Sequence, residues 1–256
     1  MVPGVSGGSM AMILGIYDKM IASVSSFMKH KAESMKFLSL AAIGGVLGMF
    51  LFSKPLLHLI ETYPMPTLYF FMGAVIGSAP MVFRKSKLHH FSIRGICYVV
   101  LGIIMVMTIG MIPMGTVAET SAETGIEGMV YLALAGIIAA IALVLPGISV
   151  SYLLLVLGLY DETMKAISDL YLPYLIPLAV GLFLGVVLTT KILEKIMNDY
   201  PQPAYLVILG FVLGSLVEVF PGIPEGLDVL LCLATFAAGF LSIFLLSKKE
   251  NESGNA

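Results

Sequence analysis

The chain alternates long apolar stretches with short polar segments. Each stretch holds about 16 to 19 residues with almost no charge, close to the roughly 20 residues that a helix needs to cross a bilayer. The stretches are 37–52, 67–83, 95–112, 174–190, 204–220 and 229–247. This pattern predicts an all-α integral membrane protein with six full spans.

A further apolar segment, 129–160, differs in length from the others. It is interrupted by Pro146 and Gly147, and as one helix of about 32 residues it would extend roughly 48 Å at 1.5 Å per residue. That is too long for one straight crossing and too short for two. The segment is therefore either a broken, strongly tilted helix or a re-entrant hairpin that turns at Pro-Gly and leaves on the side where it entered.

The positions of lysine and arginine favour the hairpin. With a hairpin, twelve basic residues lie on one side of the membrane and two on the other, whereas a single crossing gives nine and five. The twelve are Lys19, Lys29, Lys31, Lys36, Arg84, Lys85, Lys87, Arg94, Lys191, Lys195, Lys248 and Lys249, and the two are Lys54 and Lys165. Because cytoplasmic loops are enriched in lysine and arginine, we expect the twelve, and the C-terminus with them, to be cytoplasmic.

The pattern also repeats along the chain. PGVSGGSMAMILGIYD at 3–18 recurs without a gap as PGISVSYLLLVLGLYD at 146–161, and 37–83 aligns with 174–220, each containing Tyr-Pro-x-Pro at the same offset. Two related halves are therefore predicted, each a re-entrant hairpin followed by three spans. An odd number of crossings inverts the second half relative to the first, an arrangement found in many secondary transporters.

The repeat sets the predicted domain boundaries. They are a first repeat at 1–112, an extracytoplasmic linker at 113–128, a second repeat at 129–247 and a polar cytoplasmic tail at 248–256. The inward arm of the second hairpin has no counterpart ahead of the first motif. We therefore expect the N-terminal arm of the first hairpin to be missing from this chain, so that this hairpin is truncated.

Composition agrees with a location in the bilayer. Hydrophobic residues make up 59% of the chain and charged residues 12%, against roughly 45–50% and 25% in soluble domains. A basic region followed by an apolar one, as in a signal peptide, is absent from the first residues. Cys97 and Cys232 both lie in apolar spans, so we expect buried thiols and no disulfide. The predicted location is the cytoplasmic membrane.

The repeated Pro-Gly-x-Ser motif has the composition of a helix start that can bind an anion. Proline suits the first helical position, glycine lets a ligand approach the backbone, and amides at helix starts attract phosphate or carboxylate. The candidate substrate-binding residues are Pro3, Gly4, Ser6, Gly7, Gly8, Pro146, Gly147, Ser149 and Ser151. The alternative is that Pro-Gly only turns the hairpin while the serines satisfy backbone groups locally.

Five other polar residues are candidates for phosphate capture or coupling, namely Arg84, Arg94, Asp18, Asp161 and Glu218. Arg84 and Arg94 flank a basic loop that either anchors the chain to anionic lipid or captures phosphate at the cytoplasmic mouth. Asp18 and Asp161 hold matched positions at the hairpin exits, where they either solvate helix ends or couple transport to protons. Glu218 is a carboxylate inside a predicted span, a position that often marks a site.

The motifs resemble a known family. PGVSGG…LGIYD, a Tyr-Pro-x-Pro turn, a G-x-x-x-G-S-x-P segment from Gly73 to Pro80, and a second PGIS…LGLYD are similar to the bacterial and archaeal family called domain of unknown function 368. The resemblance covers essentially the whole chain and implies a polyprenyl-phosphate transporter, a type implicated in returning undecaprenyl phosphate across the cytoplasmic membrane. It also implies an apolar arm ahead of the first motif. The second motif departs from the first at Val150 and Ser151, so equal roles for the two loops are not expected.

Three functions are compatible with these features. The first is a flippase for polyprenyl phosphate, whose phosphate is held at the two loops near mid-membrane. The second is a transporter or channel for a small anion. The third, an integral-membrane polyprenyl-diphosphate phosphatase, requires an arginine beside the serine and clustered glutamates, which this sequence lacks. We expect no enzymatic activity, cofactor, metal or nucleic-acid partner, and the oligomeric state stays open.

Overall fold

The structure is a computed structural model that describes residues 7–87, 92–113, 125–226 and 228–254. All regular elements within these residues are α-helices. In chain order they are α1 (Gly7–Ile13), α2 (Tyr17–Ser25), α3 (Lys31–Thr62), α4 (Pro64–Lys85), α5 (Ile93–Gly110), α6 (Ile126–Val144), α7 (Val150–Val156), α8 (Tyr160–Ser168), α9 (Leu172–Asp199), α10 (Pro201–Gly214), α11 (Leu216–Val219) and α12 (Asp228–Gly254). The all-α prediction is confirmed.

Seven helices of the described chain are long and apolar enough to cross a membrane. Six of them, α3, α4, α5, α9, the α10–α11 segment and α12, coincide with the six predicted spans. The seventh is α6, which the sequence pattern assigns to one arm of a hairpin and not to a full span. Because it begins at Ile126, its 19 residues extend about 28 Å, so by length it qualifies as a span. The protein is thus a multi-pass membrane protein.

The chain reverses direction between α6 and α7. Helix α6 ends at Leu145, whose φ of −76° and ψ of 129° are extended, and Gly147 follows with a φ of +85°, a left-handed conformation that favours glycine. The hydroxyl of Tyr131, near the start of α6, then donates to the carbonyl of Leu157, just after α7, at 3.2 Å. Tyr131 and Leu157, on the two sides of the Pro-Gly turn, therefore lie next to each other.

The two halves repeat the same succession of elements. Two short helices, α1 and α2 or α7 and α8, are followed by three long helical segments. The matched turns also share backbone angles: φ is +73° at Gly15 and +68° at Gly158, and φ and ψ are −131° and 64° at Tyr63 and −132° and 62° at Tyr200. The sequence repeat is thus a repeat of local structure.

Glycines bring three pairs of helices into close, parallel contact. Along α4 and α12, Gly73 abuts Phe236 and Gly77 abuts Phe240, so the two helices advance in the same direction. Gly210 and Gly214 of α10 contact Val99 and Val106 of α5 in the same order. Gly181 and Gly185 of α9 contact Ala133 and Ala140 of α6 in the same order, so these two helix pairs are also parallel. Glycine permits such backbone contact in membrane bundles. In two of the three pairs, the partners come from different halves.

Helix α3 differs from its counterpart α9 in its surroundings. Gly181 and Gly185 of α9 pack tightly against α6, whereas a Cβ added at Gly44 or Gly48, the equivalent residues of α3, would meet nothing within 4 Å. The most apolar window of α3 holds no buried residue. Within the described residues, the small-residue face of α3 is therefore uncovered.

The central core lies between the two halves. It joins α1 and α2 of the first half to α9 and α10 of the second through fully buried side chains such as Met12, Tyr17, Ile208 and Val212. The hydroxyl of Tyr17 donates to the carbonyl of Val144, the last residue of α6, at 2.9 Å. Burial raises the pKa of this hydroxyl, as does the nearby Asp18, so it remains a donor. The start of α2 is thereby fixed against the end of α6.

Candidate functional site

The two repeated motifs meet inside the bundle. A Cβ added at Gly8 would lie 3.2 Å from the backbone of Pro146, so the first motif passes directly against the second. The amide of Gly147 donates to the hydroxyl of Ser9 at 2.8 Å, and this bond is buried. Three other members of the predicted site, Pro3, Gly4 and Ser6, lie outside the described residues.

The second motif is held tightly by its surroundings. A Cβ at Gly147 would overlap the carbonyl of Phe211 in α10, and the positive φ of Gly147 already disfavours other residues. Phe211 lies ten residues into the apolar segment Pro201–Val219 and eight before its end. The Pro-Gly turn is therefore level with the middle of a helix long enough to span a membrane.

The serines of the second motif lie at the start of α7. Ser149 caps the helix, because its Oγ accepts a hydrogen bond from the amide of Tyr152 at 3.3 Å. This is the local role that we considered as the alternative to ligand binding. A hydroxyl that accepts one bond keeps its proton as a donor, and Ser151 follows in the first turn of the same helix. Capping by Ser149 is therefore compatible with either role.

The first motif has more space than the second. Among the described residues, which begin at Gly7 itself, a Cβ added at Gly7 would meet no atom within 4 Å, in contrast to Gly8 and Gly147. In the repeat, Val150 and Ser151 replace Gly7 and Gly8. As far as the described residues are concerned, there is room next to Gly7 for a larger side chain.

Asp18 belongs to a polar cluster that joins the halves. Its Oδ2 accepts from the ammonium of Lys85, at the end of α4, at 2.7 Å and from the hydroxyl of Tyr205, in α10, at 3.0 Å. Its Oδ1 is buried and has no hydrogen-bond partner in the described part of the chain. The equivalent Asp161 is exposed, so the matched sequence positions have different environments.

Arg84 and Arg94 lie at the basic end of the bundle, where α4 ends and α5 begins. Both side chains are exposed, and the Arg84 Nε donates to the carbonyl of Pro80 at 3.3 Å. Pro80 lines an apolar cavity of about 530 Å³ between α4, α5, α10 and α12. The two arginines thus flank this cavity rather than the Pro-Gly turns.

Glu218 lies near the C-terminal end of the α10–α11 segment, about 20 Å along the helix axis from Tyr205 near its start. It is exposed, and its Oε1 would be 3.7 Å from a Cβ added at Gly110, the last residue of α5. The Tyr152 hydroxyl donates to the carbonyls of Gly110 at 2.8 Å and Ile112 at 2.9 Å. Glu218 therefore belongs to a separate polar region near the end of α5.

Sequence reasoning missed three residues that connect these elements. Ser9 links the two motifs, but the repeat has Tyr152 in its place, so the alignment gave it no weight. Lys85 entered only the charge count, and Tyr205 is one of several tyrosines near span ends. Their hydrogen-bond partners lie 67 to 187 positions away in the sequence, and only the weak signal of a polar residue beside an apolar span marks them.

Among the described residues, no three histidine, cysteine or acidic side chains cluster as a metal site would require.

Comparisons with known proteins agree with the membrane architecture. A family model described as VCA0040-like, undecaprenyl phosphate translocase-like, matches residues 1–225. A polyprenyl-phosphate transporter of Staphylococcus aureus is 33% identical over 264 residues, covering 98% of this chain and 93% of that protein. A polyprenyl-phosphate transporter of Vibrio cholerae is 26% identical over 234 residues, covering 86% and 73%. No solved structure gives a significant match.

These matches confirm the resemblance inferred from the repeated motifs. The family and both relatives are described as transporters or translocases, so they favour transport over the phosphatase alternative. The chain belongs to the undecaprenyl phosphate translocase-like family.

Proposed function

We propose that this protein is a secondary transporter that moves a polyprenyl phosphate, such as undecaprenyl phosphate, across the cytoplasmic membrane. Both curated relatives are named polyprenyl-phosphate transporters, and one aligns with nearly the whole chain. The observation that carries the mechanism is the buried contact between the two motifs, in which Gly8 lies against Pro146 and Ser9 accepts from the Gly147 amide.

The phosphate is proposed to bind where these loops converge. Gly147 donates its amide to Ser9, so the donors assigned to the ligand are the backbone of Gly7 and Gly8 and the hydroxyls of Ser149 and Ser151. Gly4 and Ser6 are further proposed donors, and Pro3, which has no N–H, completes the proposed site without donating. Backbone amides and hydroxyls suit a phosphate because hydrogen bonds to an ionised group are shorter and stronger than those between neutral groups.

An inverted repeat with two re-entrant hairpins is the proposed architecture. Three observations support it: the chain reverses at Pro146-Gly147, the turn is level with the middle of the α10–α11 segment, and two parallel helix pairs join the halves. Because α4 and α5 are joined by a short loop and run in opposite directions, a parallel pairing of α4 with α12 and of α5 with α10 gives the matched helices opposite directions. In such transporters the substrate site lies near the bilayer midplane, between the repeats.

The orientation follows from charge. Lys85, Arg84 and Arg94 lie at one end of the bundle, and the end of α12 with Lys248 lies there too, because α12 is parallel to α4. We therefore assign this end and the C-terminus to the cytoplasm. The Asp18–Lys85–Tyr205 cluster, which joins both halves at this end, is proposed to close the path to the loops from the cytoplasmic side.

The function is tested with purified protein in proteoliposomes. Labelled polyprenyl phosphate and labelled inorganic phosphate are offered separately, and release of inorganic phosphate from polyprenyl diphosphate is measured in parallel. We expect movement of the lipid phosphate without hydrolysis. Uptake of inorganic phosphate alone would instead assign a small-anion transporter, and phosphate release would assign a phosphatase.

A further inference from the structure

We propose, resting on the function proposed above, that the apolar cavity between α4, α5, α10 and α12 holds the isoprenoid chain of the lipid phosphate next to its head group. The cavity encloses about 530 Å³, within the range of roughly 300–1,000 Å³ of small-molecule sites. Its wall is apolar apart from Ser92 and consists mainly of branched aliphatic and aromatic side chains, including Ile76, Phe83, Ile96, Val100, Leu209 and Leu213.

The cavity is placed for entry from the side. Its floor is buried, with Leu206 and Leu209 only 1% and 6% exposed, whereas Ile96 and Val100 on α5 are 53% and 45% exposed. These two residues belong to an apolar helix long enough to span a membrane, so their exposed surface faces lipid. A prenyl chain can therefore enter from the bilayer without crossing water.

The charges at the mouth match an anionic lipid. The lining runs along the second half of α4, from Ile76 to Phe83, and from Ser92, just before α5, through the first half of α5 to Val100. Arg84 directly follows Phe83, and Arg94 lies between Ser92 and Gly95 of the lining. Both arginines are exposed, and a guanidinium binds phosphate through paired hydrogen bonds. A phosphate at these arginines would leave the attached chain directly over the apolar opening.

The cavity is separated from the proposed phosphate site by one helix. Leu209 and Leu213 of α10 face the cavity, whereas the backbone of Phe211, between them, contacts Gly147 on the other side. Residues four apart share a helix face, and the residue midway between them lies on the opposite face. The cavity is thus an entry position, from which the head group moves around α10 to the loops while the chain remains in an apolar environment.

The isoprenoid chain is held in the cavity by van der Waals packing rather than by the hydrophobic effect, because the surrounding lipid is as apolar as the cavity. Reducing the cavity volume should therefore weaken binding. Ala79→Phe on α4 and Ile96→Trp on α5 place larger side chains in the lining. Leu101→Trp is the matched control, since Leu101 is on the same helix and is 48% exposed but does not line the cavity.

The test is photolabelling in proteoliposomes with a polyprenyl phosphate that carries a diazirine in the isoprene unit nearest the phosphate. Peptide mapping should find the label on α4, α5 and α10 residues of the cavity. Ala79→Phe and Ile96→Trp should lower this labelling about tenfold, as expected from overpacking, while Leu101→Trp should not. A phosphatidic acid that carries a diazirine in its acyl chain, as close to the phosphate as in the polyprenyl probe, should label the cavity far less.

Three results would overturn the assignment of the cavity. The first is labelling of both Ala79→Phe and Ile96→Trp at the level of the wild-type protein, and the second is a label that maps only to residues outside the cavity. The third is labelling of the cavity by phosphatidic acid to the same extent as by polyprenyl phosphate, which would make the cavity a crevice for any anionic lipid. Transport by the wild-type protein is measured in the same vesicles. If the wild type moves polyprenyl phosphate but the cavity is not labelled, only this inference fails. If the wild type does not move it, the proposed function fails.

Discussion

The amide of Gly147 donates a buried hydrogen bond of 2.8 Å to the hydroxyl of Ser9, 138 positions earlier in the chain. This bond joins the turn of the second repeated motif to α1, the helix that begins within the first motif. It fixes the two loops to each other at the level of the middle of α10–α11, where the phosphate is proposed to bind.

Ser9→Ala should therefore destabilise the junction between the halves. Removing one partner of a buried backbone amide typically costs about 1–3 kcal/mol. We expect a lower midpoint temperature of thermal denaturation, which is measured by size-exclusion chromatography of samples heated to increasing temperatures. Ser39→Ala is the control, because the Ser39 hydroxyl bonds the Lys36 carbonyl at an exposed position. Equal midpoints for the two variants would contradict the structural role of Ser9.

The uncovered face of α3 predicts that equivalent glycines tolerate substitution differently. Gly181→Leu forces a side chain into the Ala133 backbone of α6, whereas Gly44→Leu adds one to open space. Overpacking of this kind costs about 1–3 kcal/mol or more. Membrane-inserted, monodisperse protein should be obtained for Gly44→Leu and largely lost for Gly181→Leu. Similar loss in both variants would mean that the face of α3 is covered in the membrane.

The Asp18–Lys85 ion pair predicts non-additive effects on transport. Asp18→Asn and Lys85→Met each abolish the same ion pair, whose atoms are 2.7 Å apart, so the double variant should be no worse than the more damaging single one. Asp161→Asn is the matched control, since the equivalent carboxylate is exposed, and it should retain transport. The initial rate in proteoliposomes provides the comparison. If the losses of transport rate from the two substitutions were fully additive, Asp18 and Lys85 would act independently, which would contradict a shared role for the ion pair.

The charge asymmetry predicts topology. Single cysteines in place of Lys87 and Lys165, in a chain lacking Cys97 and Cys232, should react with an impermeant thiol reagent from opposite sides of the membrane. Both positions are exposed, so the reagent can reach them. Reaction from the same side would contradict the hairpin at Pro146-Gly147 and the inversion of the second half.

Local pattern was sufficient to predict much of the fold. The six apolar stretches, the turn at Pro146-Gly147 and the duplicated elements all depend on periodicity and on the preferences of proline and glycine, which act over a few residues. The length of α6 was not predicted, because its first turn begins beyond the apolar stretch at a glutamate-containing segment, Ile126 to Gly128.

The site was less predictable because it depends on pairs of residues far apart in the chain. The Ser9–Gly147, Lys85–Asp18 and Tyr205–Asp18 contacts are set by how helices of different halves pack, and no local spacing encodes them. The structure also distinguishes Gly7→Val from Gly147→Val, because only the second would overlap a neighbouring backbone among the described residues, that of Phe211.

Transport of labelled polyprenyl phosphate by Gly7→Val therefore tests the central claim most directly. No described residue lies within 4 Å of a Cβ added at Gly7, so we expect folded protein with wild-type thermal stability. If the phosphate binds at the loops, the valine should block close approach to the backbone and abolish transport, while Ser149→Ala should weaken it by about fivefold, the effect of one lost hydrogen bond. Wild-type transport by stable Gly7→Val protein would contradict phosphate binding at the Pro-Gly-x-Ser loops.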